Sequence, residues 1–414
     1  MVCQVNASSM SPKRRRFLWI VFITVALTWI ILITTYLRQF RPTVQSFSWT
    51  ICESLFQGKY DLALQVQNEL VPNRRLNSCE VIATFSGHVP WISPEEYRYP
   101  LAFAISVFEN PEQFAHFLRL IYRPQNVYCI HIDRKTERST TEQFENIAHC
   151  FGPNVFLIPV DQRVDVAWGY FSVLQSTLLC AEHLLNQTVV PNWKYMLNMN
   201  NKEIPLRTNW EMVSALKALN GSNLVESVPC PDLEQRKPKH KYTFKFDWHK
   251  GSFLTALRRE FVKFMFTNPN ALELIESMRR ESEQRKVQDE LLFSTLAFNP
   301  HLGAPGACLH AHRHNSSDPR SWFLARFVNW NASNCPSGYA VHGVCIFGAE
   351  DVPILIRQPH LMANKFFWGF QPVAYACMEY WLVKRLRYEK AYRTLHPSFD
   401  RRLYANLYCS SDHI

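Results

Sequence analysis

Between Phe17 and Leu37 the chain runs for 21 residues without a charge, FLWIVFITVALTWIILITTYL, and this decides where the rest of it folds. As a helix rising 1.5 Å per residue, such a run reaches roughly 31 Å, the thickness of the hydrocarbon core of a bilayer. A cleaved signal peptide would carry a shorter apolar region closed by small residues, whereas this one closes in Thr34-Thr35-Tyr36-Leu37-Arg38. The segment therefore reads as a retained single-pass anchor. Lys13, Arg14, Arg15 and Arg16 precede it against Arg38 and Arg41 after it. The positive-inside bias then leaves residues 1–16 in the cytosol and residues 38–414 in the lumen of the secretory pathway or outside the cell.

The cysteines agree with an oxidising compartment. Cys3 falls on the cytosolic side, and eleven others follow the anchor: Cys52, Cys79, Cys129, Cys150, Cys180, Cys230, Cys308, Cys335, Cys345, Cys377 and Cys409. Eleven is odd, so at least one thiol is unpaired or pairs between chains. No CxxC or Cys/His pair has zinc spacing, which speaks against a metal site. Glycosylation sequons at Asn186, Asn220, Asn315 and Asn331 suit a lumenal chain, while Asn6 carries the pattern on the cytosolic side. The formal charge of +10 does not imply nucleic acid, which the compartment excludes. The run Arg236-Lys237-Pro238-Lys239-His240-Lys241 is either a solvated loop or an attraction for a phosphate-bearing small molecule.

Residues 38–99 show no sustained period and read as a stem. After them the pattern changes. Leu101 to Val107, Val127 to Ile132, Val155 to Val160 and Lys194 to Met199 are continuous apolar runs of the kind found in strands buried on both faces. Asn110-Pro111-Glu112 reads as a helix start with Asn as cap, and Gln113 to Tyr122 and Phe171 to Leu185 carry helical spacing. Alternating strands and helices imply an α/β domain with a mostly parallel sheet over residues 100–390, followed by a C-terminal tail, 391–414. Ligands of such sheets collect at the carboxyl ends of the strands. Asp133, Arg134 and Lys135 stand there, where a nucleotide could use one carboxylate and two cations; a polar turn closing a strand explains them equally well. Ala271 to Arg285 and Lys286 to Phe298 read as two further helices. Asp289 and Glu290 would lie in the first turn of the second, where macrodipole complementarity alone accounts for acids. Asn364-Lys365-Phe366, after an expected helix, has no local reason for its Lys.

Taken together, several segments resemble the animal β1,6-N-acetylglucosaminyltransferases that branch O-glycans, the core 2 family. They are Pro100 to Ser106, Tyr122 to Lys135, Asn192 to Tyr195, Gly251-Ser252, Asp289-Glu290, Ala325 to Trp330, Val344 to Ala349 and Arg357 to Phe366, in family order. The resemblance implies a GT-A-like nucleotide-sugar transferase domain behind a type II anchor in the Golgi membrane. It also implies inverting transfer of GlcNAc from UDP-GlcNAc to O-glycans on glycoproteins, without a metal or other cofactor. Monomer and homodimer both remain open.

Carried over by position, Glu290 matches the catalytic base. Ser106, Val107, Phe108, Asp133, Arg134, Lys135 and Asp165 match donor-binding positions, and Lys365 matches a cation on the diphosphate. Arg236, Trp330 and, more loosely, Glu226 match the acceptor side. The family's disulfides map onto Cys52–Cys377, Cys79–Cys150, Cys129–Cys180 and Cys335–Cys345, leaving Cys230, Cys308 and Cys409 over. In this chain His342 stands where the family has an Arg beside the Lys, Asn201-Lys202-Glu203-Ile204-Pro205 replaces a Gly-x-Asp-x-Pro turn, and Leu233 replaces an acceptor-site Lys. Inversion needs a base for the acceptor hydroxyl proton, and the departing UDP needs positive charge. No Asp-x-Asp pair occurs to hold a divalent ion, so fixed cations such as Lys365 would do this. Xylose transfer by the related xylosyltransferases, and an inactive carbohydrate-binding membrane protein, are the alternatives.

Overall fold

The computed structural model describes residues 49–66, 91–230 and 232–414, with Trp19, Thr24, Val25, Trp29 and Cys79 besides. The expected anchor thus falls almost wholly outside the described residues, although those four members of it are helical. Among the described residues no helix is long and apolar enough to cross a membrane.

The five-stranded sheet has the order β3-β2-β1-β4-β6, with β1 Leu101–Val107, β2 Val127–Ile132, β3 Val155–Leu157, β4 Tyr195–Asn200 and β6 Ala256–Arg258. β1 pairs in parallel with both β2 and β4, β2 with β3, and only β6 runs antiparallel. Two apolar clusters explain the uninterrupted runs. Leu101, Phe103, Ile105 and Val107 of β1 and Tyr128, Ile130 and Ile132 of β2 enter one of them. Ala102, Ala104, Val127 and Cys129 enter the other. The small alanines let the helix Phe171–Asn186 lie close to β1, and Cys129–Cys180 ties that helix to β2.

From β1 the chain moves outward to β2 and β3, then returns to place β4 on the other flank of β1. This reversal is the topological switch point, where open α/β sheets leave a crevice beyond the strand ends. A second sheet, in the order β5-β10-β7, covers that region with β5 Glu203–Pro205, β7 Arg326–Phe327 and β10 Met362–Asn364. The third is a two-stranded hairpin of β8 Ala340–Val341 and β9 Val344–Cys345.

Several expectations need correction. The run Val155 to Val160 is a strand only as far as Leu157, because Pro159 cannot donate to a ladder. Asn110 precedes the helix Pro111–Ile121 at φ +55° and makes no side-chain cap bond. The charged helix spans Pro269–Arg279, set by Asn268, whose side chain accepts from the Asn270 and Ala271 amides, and by Pro269. Lys365 follows a strand, β10, and not a helix.

Residues 286–298 are not one helix: Val287, at φ +51°, opens a one-turn 3-10 segment, Gln288–Glu290, and Leu291 separates that turn from the helix Leu292–Ala297. Glu290 therefore ends a single 3-10 turn and does not open a long helix, which weakens the macrodipole account of it.

The four mapped disulfides form, and a fifth joins Cys308 to Cys409, two of the three cysteines left over. Cys230 stays free. Both flanking segments are packed. The helix Trp49–Phe56, within the expected stem, lies on the helix Pro372–Tyr392 through Cys52–Cys377, with Leu55 buried. Within residues 391–414, expected as a tail, Tyr404 and Leu407 enter the first apolar cluster.

Candidate active site

The donor-side candidates gather at the carboxyl edge of the large sheet. The Asp133 amide donates to Val107 O at 2.9 Å, which sets the end of β2 against the end of β1. Lys135 Nζ reaches Asp133 Oδ2 at 2.9 Å and Val166 O at 2.6 Å. Arg134 grips Asp165 through two bonds of 3.0 and 2.6 Å, and this pairing holds the Asp165 carboxyl below its ordinary range. His131 anchors the same loop: its Nε2 accepts from the Val164 amide at 3.1 Å, and burial pushes its imidazole down to about 4, leaving a neutral acceptor. Ser106 Oγ lies 3.1 Å from Ser176 Oγ, and Phe108 is exposed beyond the strand.

Glu290 is the hub on the opposite side. Its Oε2 accepts from Arg236 Nη1 at 2.6 Å and lies 3.4 Å from Lys250 Nζ, while its side chain keeps 20% exposure and so remains reachable. Arg236 ends the short helix Leu233–Arg236 and also binds Asp232 at 2.8 Å. Burial works against its charge, but the two carboxylates prevail and raise its pKa.

Lys250 was missed in the sequence. It arrives at the end of an extended run in which Tyr242, Phe244, Phe246 and Trp248 pack on the second apolar cluster while Thr243, Lys245 and Asp247 face water. The Val228–Lys250 bridge follows, and the Gly251 amide donates to Glu290 O at 2.9 Å. A Cβ on Gly251 would stand 1.9 Å from Glu226 O, so only glycine allows this approach. The basic run is therefore not a free patch. Arg236 pairs with Asp232 and Glu290, Lys237 with Glu234, and His240 with Glu273.

Val287 N donates to Gly169 O at 2.8 Å, which fastens the turn bearing Glu290 to the loop bearing Asp165. Donor-side and acceptor-side candidates thus meet across one hydrogen bond. Glu226, whose carboxyl is raised by burial, lines a cleft with Ser227, Phe298, His312, His314 and Trp322. Trp330 is 66% exposed beyond β7 and takes no part in the ion pairs around Glu290.

His342 and Gly343, at φ +53° and +80°, form the turn of the β8–β9 hairpin, which Cys335–Cys345 closes. The His342 ring stacks on Trp168, with centroids 5.4 Å apart, and Arg285 lies 4.3 Å over the same indole. Lys365 follows β10 directly, and burial followed by the nearby Lys202 holds its ammonium below the ordinary range.

Asp289 is buried beside the hub, and burial, then the charge of Glu290, pushes its carboxyl up to about 7. A carboxyl raised in the folded state stabilises fully below its unfolded value near 4, and that contribution is lost as pH rises to about 7. Asp289→Asn, which cannot ionise, should therefore gain in melting temperature over the wild type progressively from pH 4 to pH 7.5. A pH-independent difference would show that Asp289 is already ionised in the folded protein.

Comparison with known proteins gives the family of the chain. The sequence model of the family described as Core-2/I-Branching enzyme matches residues 101–355. The human protein named beta-1,3-galactosyl-O-glycosyl-glycoprotein beta-1,6-N-acetylglucosaminyltransferase 3 is 33% identical over 330 residues, covering 73% of this chain and 72% of its own. The Bos taurus protein of the same name is 32% identical over 323 residues, covering 72% and 70%. A Bovine herpesvirus 4 protein, named as the same transferase without the number, is 32% identical over 326 residues, covering 72% and 71%. The mostly parallel sheet suits the GT-A-like fold of such a domain. With the matched segment running from β1 past the turn that carries Glu290 and on through the β8–β9 hairpin, this chain belongs to the Core-2/I-branching enzyme family.

Proposed function

We propose that the chain is an inverting β1,6-N-acetylglucosaminyltransferase that moves GlcNAc from UDP-GlcNAc to a sugar hydroxyl of O-glycans. The observation that carries this reading is the placement of Glu290: a reachable carboxylate between Arg236 and Lys250, hydrogen-bonded through its turn to the loop of Asp165. The acceptor hydroxyl gives its proton to Glu290 as its oxygen bonds to the anomeric carbon. On the opposite face the bond to the β-phosphate oxygen breaks, and UDP leaves with the electron pair. Asp133, Arg134, Lys135 and Asp165 hold the nucleotide, and Lys365 meets the charge that grows on the diphosphate. Glu226, Arg236 and Trp330 orient the acceptor.

The same reading makes the transfer metal-independent, since the sequence has no Asp-x-Asp pair and Lys365 stands on the donor side. It also makes the protein a type II Golgi membrane enzyme, which the apolar run Phe17 to Leu37 and the five disulfides among the described residues support. The test offers the full-length chain in detergent a panel of UDP-sugars and O-glycan acceptors, with and without excess chelator. GlcNAc transfer that chelation lowers by less than about tenfold is expected. Transfer of no UDP-sugar would sink the reading, and a larger loss reversed by manganese would sink its metal-independent part.

A further inference from the structure

The switch point of the sheet lies between the ends of β1 and β4, and the residue that β4 delivers there is Lys202. Its Nζ is 4.7 Å from the centroid of Phe108, just beyond β1, and 4.6 Å from that of Phe367. Lys365 Nζ approaches the same Phe367 ring at 5.5 Å. The two lysines share this ring because the β5–β10 ladder sets them opposite one another: Asn364 pairs with Glu203, and the Phe366 amide donates to Lys202 O at 2.7 Å.

The carboxylate beside them is Glu109, 2.5 Å from Lys202 Nζ. Two ammonium groups and one carboxylate leave an uncompensated positive charge, and the Lys202 side chain is only 17% exposed, so water screens it weakly. Burial first, and then the nearby Lys202, lowers the pKa of Lys365. A polyanion would relieve it. Meanwhile His342 is engaged with Trp168.

We propose that Lys202 is a second donor-phosphate ligand, gripping the diphosphate of the nucleotide sugar together with Lys365. This rests on reading the site as a UDP-sugar site. Glu109 holds the ammonium in position while the site is empty and gives it up to phosphate oxygen when the donor enters. In the sequence, Lys202 occupies the variable position of the expected Gly-x-Asp-x-Pro turn and so places a charge at the crevice.

The test separates phosphate from base. Affinities for UDP and for uridine are measured by calorimetry on the full-length chain in detergent, for the wild type, Lys202→Met, Lys202→Arg and Lys365→Met. Lys202→Met should weaken UDP about 10–100-fold and leave uridine unchanged, as loss of a charge-assisted contact predicts, while Lys202→Arg keeps most of the affinity. Unchanged UDP affinity in Lys202→Met, with Lys365→Met impaired, would overturn the assignment. Equal loss of UDP and uridine would also overturn it, showing that Lys202 only shapes the turn. A wild type that binds neither ligand would remove the UDP-sugar reading itself.

Discussion

Glu290→Gln should lower kcat by about 10²–10⁴-fold while UDP binding and melting temperature stay close to wild type. Gln keeps the length of the side chain and an oxygen to face Arg236 and Lys250, but it cannot take the acceptor proton. The ion pairs lost are partly exposed and worth little to the fold, and Arg236 retains Asp232. Transfer assays with saturating donor and acceptor read the effect. A Gln variant of near-wild-type rate would reject Glu290 as the base. Asp289, adjacent in sequence, is no silent comparison, because it is buried and its charge is coupled to that of Glu290.

Glu203→Ala should be the most destabilising single change near the site, by about 3–5 kcal/mol, or roughly 5–10 °C in melting temperature. The Glu203 carboxylate and the Arg326 guanidinium lie 2.6 Å apart with neither side chain exposed. Arg326 also donates to Asn198 O at 2.8 Å, and Glu203 Oε1 accepts from the Asn200 amide at 3.1 Å. Burial pushes the Glu203 carboxyl up, opposed by Arg326 and the Asn200 amide. Removing one partner strands a buried charge, whereas replacing both by apolar groups, as in Glu203→Leu with Arg326→Met, should recover much of the loss. A single-variant cost below about 1 kcal/mol would mean that water reaches the pair.

How much could be read from the sequence follows from how local each cause is. β1 and β2 were legible to the residue because burial on both faces writes an uninterrupted apolar run. The helix beginning at Phe171 was legible for the same reason, being decided by its own spacing. The break at Val287 was not, since a β-branched residue at positive φ carries no sequence signal and is held by tertiary contacts, among them Gly169 O. Pairing of Cys308 with Cys409 depends on how the last residues fold back, which no spacing encodes. Within the site, resemblance supplied Glu290, Asp133, Arg134, Lys135 and Lys365. Lys250 and Lys202 are brought in by ladders between distant segments, and only the fold shows what they face.

The packing of the helix Trp49–Phe56 changes what a soluble version of this protein has to contain. A fragment that begins at residue 100, where the family pattern starts, would lack Cys52 and Cys79 and leave Cys377, on the helix Pro372–Tyr392, and Cys150 without their partners. It would also uncover the apolar surface that Leu55 now seals. Expressed through a secretory route, such a fragment would carry two stranded thiols and an open hydrophobic seam, both of them signals for retention. The compact unit therefore begins at Trp49, inside the stretch expected as a stem, and a self-sufficient version of it has to start no later than that.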